Sequence, residues 1–214
     1  MPRTRIKICG LRTEDAIEAA IDAGADALGF VFVRSSPRFI DPQRAWRLVG
    51  ALPPLVHSVG LVMNADLEEF SRIEEACPTD YSQLHGQETE KTVRQCGPRV
   101  IKAVRYDAAT IGADLARWSA VEEVDAILID GSAGGQGHTL DWEGLAAHTQ
   151  AAAGKPLILA GGLTAENVAH AIRIVRPYAV DVSSGVERPG ALGEKDPERI
   201  RHFCDAVRAA DALL

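Results

Sequence analysis

"PLILAGGLTAENVAHAIRIV", residues 156–175, contains the parts of one repeating unit. Residues 156–162 form a short apolar run that ends on paired glycines, the pattern of a buried strand running into a turn. "TAENV" then signals a helix starting near Thr164, and Val168, Ala171, Ile172 and Val175 share one apolar face at helical spacing. The same order recurs along the chain. β-rich runs stand at "RIKIC" (5–9), "ALGFVFV" (27–33), "HSVGLVM" (57–63) and "YSQLH" (81–85). Others stand at "VIKAVRY" (100–106), "AILID" (126–130) and "YAVDVSS" (178–184). Helix starts follow several of them: "TEDA" with Thr13 as N-cap, "NADLEEF", and "DPERI" with proline at the first helical position. Strands alternating with helices predict a parallel sheet of α/β class. Eight such units in 214 residues, with no linker or low-complexity stretch, predict one (β/α)8 TIM barrel, a single domain over 1–214. An open doubly wound sheet is the alternative.

Composition narrows the function. Hydrophobic residues make up 46% of the chain and aromatics only 5%, so an aliphatic core is expected. With 23 basic and 30 acidic side chains the net charge is −7, which argues against nucleic-acid and anionic-membrane partners. Cys9, Cys77, Cys96 and Cys204 show no C-x-x-C pair and no zinc-type spacing with histidine, so no metal is expected. They read as reduced thiols of a cytoplasmic protein, the last three as packing residues. Trp46, Trp118 and Trp142 read as helix-packing aromatics. The N-terminus has no apolar h-region, and no run is long enough to span a membrane.

In a barrel, chemistry gathers at the C-terminal ends of the strands. Alternation along 5–9 turns Ile6 and Ile8 outward and Lys7 and Cys9 inward. Cys9 is then either small core filling or a thiol at the rim, with Lys7 placed to lower its pKa. In 126–130 the same parity turns Asp130 inward at the rim, suited to donating a proton; loop bracing is the other reading. Gln83 with His85, and Asp181 with Ser183, share faces that could line the pocket. Glycines after the seventh and eighth runs, in "AGGL" (160–163) and "SSG" (183–185), suit a phosphate site of backbone N–H groups. Arg38, in the loop after the second run, is either a fork for a carboxylate or a solvated charge.

These pieces, in order, resemble the phosphoribosylanthranilate isomerase family of tryptophan biosynthesis. The resemblance rests on "KICG" (7–10), "GADALGFVFVRSSPRFI" (24–40), "VGLVMN" (59–64) and "QLHG" (83–86). It continues through "ILIDGSAGGQGHTLDW" (127–142), "LAGGLTAENV" (159–168) and "DVSSGVERPGALGEKD" (181–196). Leu140 departs from the aromatic usual before "DW", and the stretch before Lys195 is longer than the usual pattern. The resemblance implies Cys9 as general base, Asp130 as general acid, and Arg38 on the substrate carboxylate. Gly161, Gly162, Ser184 and Gly185 would hold the phosphate. It implies a phosphorylated small-molecule substrate, no cofactor, and a monomer or homodimer. One rival is a dual-substrate sugar isomerase that also acts on a histidine-pathway aminoaldose; its base is typically an aspartate on the first strand, so Cys9 counts against it. An indole-glycerol-phosphate synthase barrel leans on inward lysines and glutamates, which the strand ends mostly lack. A barrel that binds phosphate without chemistry is the third, and Cys9 with Asp130 counts against it.

Overall fold

The computed structural model describes residues 3–131 and 140–214. Residues 132–139, part of the motif that follows Asp130, lie outside the described residues. The strands are β1 (Arg5–Cys9), β2 (Ala27–Val31), β3 (His57–Val62), β4 (Tyr81–Leu84), β5 (Val100–Arg105), β6 (Val124–Asp130), β7 (Leu157–Ala160) and β8 (Ala179–Val182). They pair in parallel in sequence order, and β1 pairs with β8 to close the barrel. Helices α1 (Glu14–Asp22), α2 (Pro42–Val49), α3 (Leu67–Ala76), α4 (Glu90–Cys96), α5 (Ile111–Ser119), α6 (Trp142–Ala146), α7 (Val168–Val175) and α8 (Pro197–Asp211) alternate with them. Two 3-10 turns, Thr149–Ala152 and Ser184–Val186, complete the path. Among the described residues no helix is long and apolar enough to cross a membrane.

Strand parity separates two cores. Val59, Ile101, Ala103, Ala126, Leu128, Ile158, Ala160 and Ala179 fill the barrel interior. Ile6, Ile8, Ile127 and Ile129 pack outward in the larger layer beneath the helices. Inside, alanines interleave with Val, Ile and Leu to fill the narrow bore, while branched outward side chains fill the wider space under the helices.

The Thr13 cap and the helix starts in "NADLEEF" and "DPERI" are where the sequence placed them. The Thr13 hydroxyl accepts from Ala16 N, the Asp66 carboxylate accepts from Glu69 N, and Asp196 caps α8 ahead of Pro197. Two expectations need correction. The helix after β7 begins at Val168, because Asn167 takes the Thr164 N–H on its side chain and makes a turn of the preceding residues. Trp46 is 47% exposed on α2, whereas Trp118 and Trp142 are buried as expected.

Candidate active site

At the end of β1, Lys7 and Cys9 point into the barrel and are both buried. Lys7 lies in register with Asp181 of β8, and its Nζ is 2.9 Å from Asp181 Oδ1. Cys9 lies in register with Gly29 of β2. A Cβ at Gly29 would stand 2.8 Å from Cys9 Sγ and 3.1 Å from Lys7 Nζ, so this glycine makes room for both groups. The expectation that Lys7 lowers the thiol pKa is met only in part. Burial pushes the Cys9 thiol above its ordinary range; Lys7 and Lys195 oppose that rise, and Asp181 adds to it. Burial pulls the Lys7 ammonium down, but the charges of Asp181 and Cys9 outweigh it and leave Lys7 above its ordinary value.

Arg38 is partly buried and held at both prongs. Its Nε is 2.6 Å from Glu187 Oε1 and its Nη2 is 3.0 Å from Glu187 Oε2. Lys195 Nζ donates to the same Glu187 Oε1 at 3.1 Å and to Ser183 O and Oγ at 3.0 and 3.1 Å. The Ser183 hydroxyl in turn donates to the Cys9 carbonyl at 3.1 Å. This chain ties the loop after β2, the turn after β8 and the end of β1 into one unit. Burial works to raise the Glu187 carboxyl, but Arg38 and Lys195 hold it below the usual carboxylate range. Sequence reasoning missed Glu187. It sits in an irregular turn where no strand parity applies, and the one available signal was its place two residues beyond Gly185.

The two glycine turns meet as expected. Gly161 and Gly162 take positive φ of 87° and 68°, which a side chain would strain. A Cβ on Gly185 would be 2.0 Å from the Leu163 carbonyl oxygen, so the turns after β7 and β8 touch through backbone. The amides of Gly162, Ser184 and Gly185 donate no backbone hydrogen bond among the described residues. They are donors of the kind an anion takes up.

Asp130 ends β6, and its side chain is 20% exposed at the rim. His85, just past β4, brings Nε2 to 3.1 Å from Asp130 Oδ2, and Gln83 Nε2 stands 2.9 Å from His85 Nδ1. A cleft of about 880 Å³, lined in part by His85, Arg105, Tyr106 and Asp130, opens beside them. The sequence-predicted residues thus form two groups at one end of the barrel. Lys7, Cys9, Arg38 and Asp181 cluster around β1, β2 and β8, while Gln83, His85 and Asp130 connect β4 to β6, with the glycine turns on the arc of strands between Asp130 and Cys9.

Known proteins match this chain along nearly its whole length. A family model described as N-(5'phosphoribosyl)anthranilate (PRA) isomerase matches residues 6–206. The N-(5'-phosphoribosyl)anthranilate isomerase of Acidithiobacillus ferrooxidans is 46% identical over 213 residues, 97% of this chain and 99% of the relative. The crystal structure of phosphoribosyl anthranilate isomerase from Thermotoga maritima superposes with a TM-score of 0.84 at 37% identity, covering 96% of this chain and 99% of the other. A crystal structure of such an isomerase in complex with reduced 1-(o-carboxyphenylamino)-1-deoxyribulose 5-phosphate gives 0.83 at 36% identity, with the same coverage. A matched family model over residues 6–206, close relatives of equal length and a shared barrel lead to one conclusion: this chain belongs to the phosphoribosylanthranilate isomerase family.

Proposed function

We propose that this chain converts N-(5'-phosphoribosyl)anthranilate to 1-(2-carboxyphenylamino)-1-deoxyribulose 5-phosphate in tryptophan biosynthesis. The conversion is an Amadori rearrangement of the aldose–ketose type, formally an intramolecular oxidoreduction. One observation carries the reading: an inward thiol ends β1 and an inward carboxylic side chain ends β6, facing one barrel mouth, with two glycine turns on the arc between them. The barrel acts as a single domain, and its free, buried cysteines suit the reducing cytoplasm.

The chemistry follows from these positions. Asp130 gives a proton to the ring oxygen; the C1'–O bond breaks with its electron pair going to that oxygen, and the anthranilate nitrogen forms a C1'=N iminium. The iminium acidifies the C2'–H. Cys9, as thiolate, takes that proton, the C–H electrons make the C1'=C2' double bond, and the iminium π pair returns to nitrogen. The resulting enolamine becomes the ketone by loss of the enol proton and protonation at C1'. C1' is thereby reduced and C2' oxidised, with no outside electron acceptor. Arg38, clamped by Glu187 through Nε and Nη2, presents Nη1 to the anthranilate carboxylate, and the amides of the glycine turns take the 5'-phosphate.

The test follows substrate fluorescence in purified variants. Cys9→Ala and Asp130→Asn are each expected to lower kcat by about 10²–10⁴-fold, with the fold and product-analogue binding retained. Turnover close to wild type in either variant removes that residue from its role. The histidine-pathway aminoaldose, run in parallel, is expected to be left unchanged.

A further inference from the structure

Past β8 the chain folds into a small hairpin whose base carries two charges that take no part in the proton transfers. Glu187 and Lys195 pair across it in an antiparallel bridge, and Arg188 N donates to Glu194 O at 2.8 Å. The hairpin rests on the loop after β2: a Cβ at Gly193 would stand 2.5 Å from Pro37 O. Arg12, just past β1, adds a bond from Nη2 to Gly193 O at 2.9 Å. An ammonium has three N–H donors, and those of Lys195 meet Ser183 O, Ser183 Oγ and Glu187 Oε1. With its side chain 1% exposed, Lys195 has no donor left for a substrate. It is a strut, and what it braces is Glu187.

The same count on Arg38 gives the opposite result. A guanidinium has five N–H donors in one plane and no acceptor. Glu187 takes the Nε proton and one on Nη2, the whole of one edge. The aliphatic stem is fixed as well, because a Cβ at Gly10 would lie 2.9 Å from Arg38 Cδ, and Gly10 directly follows Cys9. Stem and one edge are therefore held, while Nη1 makes no hydrogen bond among the described residues. Arg38, Lys195 and Glu187 together carry one net positive charge, which an acceptor-only anion completes. A carboxamide of the same shape brings no charge and turns an NH2 toward N–H groups that need an acceptor.

We propose that Glu187 is a positioning residue that sets substrate specificity. By holding the Nε–Nη2 edge of Arg38, it turns the opposite edge to the anthranilate carboxylate, and the site takes a carboxylate over its carboxamide isostere. The inference rests on Arg38 meeting that carboxylate. Arg38 and Lys195 share Oε1 of Glu187, and two like charges so close would part without it. A guanidinium fixed beforehand loses little side-chain freedom when the ligand arrives, so its hydrogen bonds go to telling the two ligands apart.

Calorimetry supplies the test. The probes are the reduced product analogue and the same molecule with a carboxamide in place of its carboxylate. The wild type is expected to prefer the carboxylate by about 10–100-fold, the worth of a hydrogen bond to a charged group. Glu187→Asp keeps the charge on a shorter arm, and is expected to lose most of that preference while binding the carboxamide as the wild type does. An undiminished preference in Glu187→Asp overturns the proposal. So does an equal loss for both ligands, the mark of a residue that serves the fold alone. Arg38→Ala isolates the underlying reading: a preference that survives there removes Arg38 from the carboxylate, and the proposal with it. ¹⁵N–¹H NMR of the arginine-labelled enzyme gives a second reading in the wild type itself, with Arg38→Lys used to assign the signal. The Arg38 Nε–H is expected to be protected from exchange with water in the resting enzyme; an Nε–H that exchanges freely overturns the proposal.

Discussion

At Cys9, one missing side chain and several neighbouring charges decide what the sulfur does. Burial holds the thiol above its ordinary range despite Lys7, because the Lys7 charge is shared with Asp181. In the proposed mechanism the base is the Cys9 thiolate, which is scarce below the pKa and plentiful above it. A raised pKa therefore means that kcat/KM climbs as pH rises past the ordinary thiol value of about 8.5. A pH series of kcat/KM in the wild type checks this; a plateau already reached near pH 7 would contradict it. Gly29→Ala would push a methyl to 2.8 Å from Sγ, and the sulfur or the strand must shift. A displacement of that kind is expected to cost about 10²-fold in kcat, while circular dichroism shows the barrel intact. Parity made the inward pair of Lys7 and Cys9 legible in the sequence. It could not show that Asp181, far away in the chain, lies in register with Lys7, and so the sign of the net effect on the thiol was beyond reach.

Among the elements, the loop from β4 to α4 shows how a buried ion pair that lines the cleft also holds the loop carrying His85. Lys102 lies on the outward face of β5, where it donates to Glu88 at 2.9 Å, with both side chains 3% exposed. Burial works against the Glu88 carboxylate, but Lys102 and backbone amides hold its pKa below the usual range. A depressed folded-state value stabilises the protein above the unfolded value of about 4.3 and is lost as pH falls through the folded one. Glu88→Gln leaves a buried ammonium without its counter-charge and is expected to cost about 3–5 kcal/mol. Urea unfolding at pH 7 measures that loss, which should shrink toward pH 3 as the wild type loses its own pair. Helix starts were legible because Thr13, Asp66 and Asp196 act within one turn of themselves. Lys102 was not, since a lysine in a β-rich run gives no sign of the carboxylate that lets it stay buried.

For the whole molecule, closure joins the first strand to the last and the chain's start to its final helix. Beside the β1–β8 pairing, the Asp211 carboxylate at the end of α8 accepts from Thr4 N and Thr4 Oγ1, both at 2.7 Å. Asp211→Ala breaks both bonds and is expected to cost about 2 kcal/mol, lowering Tm by about 4–8 °C in a calorimetric scan. An unchanged Tm would show that closure does not depend on this clasp. The barrel was legible because its repeat is written eight times, and the count of units leaves little choice of topology. The link between Arg38, Glu187 and Lys195 was not, because it joins loops whose approach only the closed ring creates. The packed fold buries every cysteine, Cys9 at the end of β1 and the other three on the helices around the ring or at their ends. Burial lifts Cys77 and Cys96 to about 11 and Cys204 to about 12, and Cys9 is raised as well. Peroxide and electrophiles attack thiolates, so thiols kept protonated by burial make the folded chain chemically durable, the proposed base Cys9 among them.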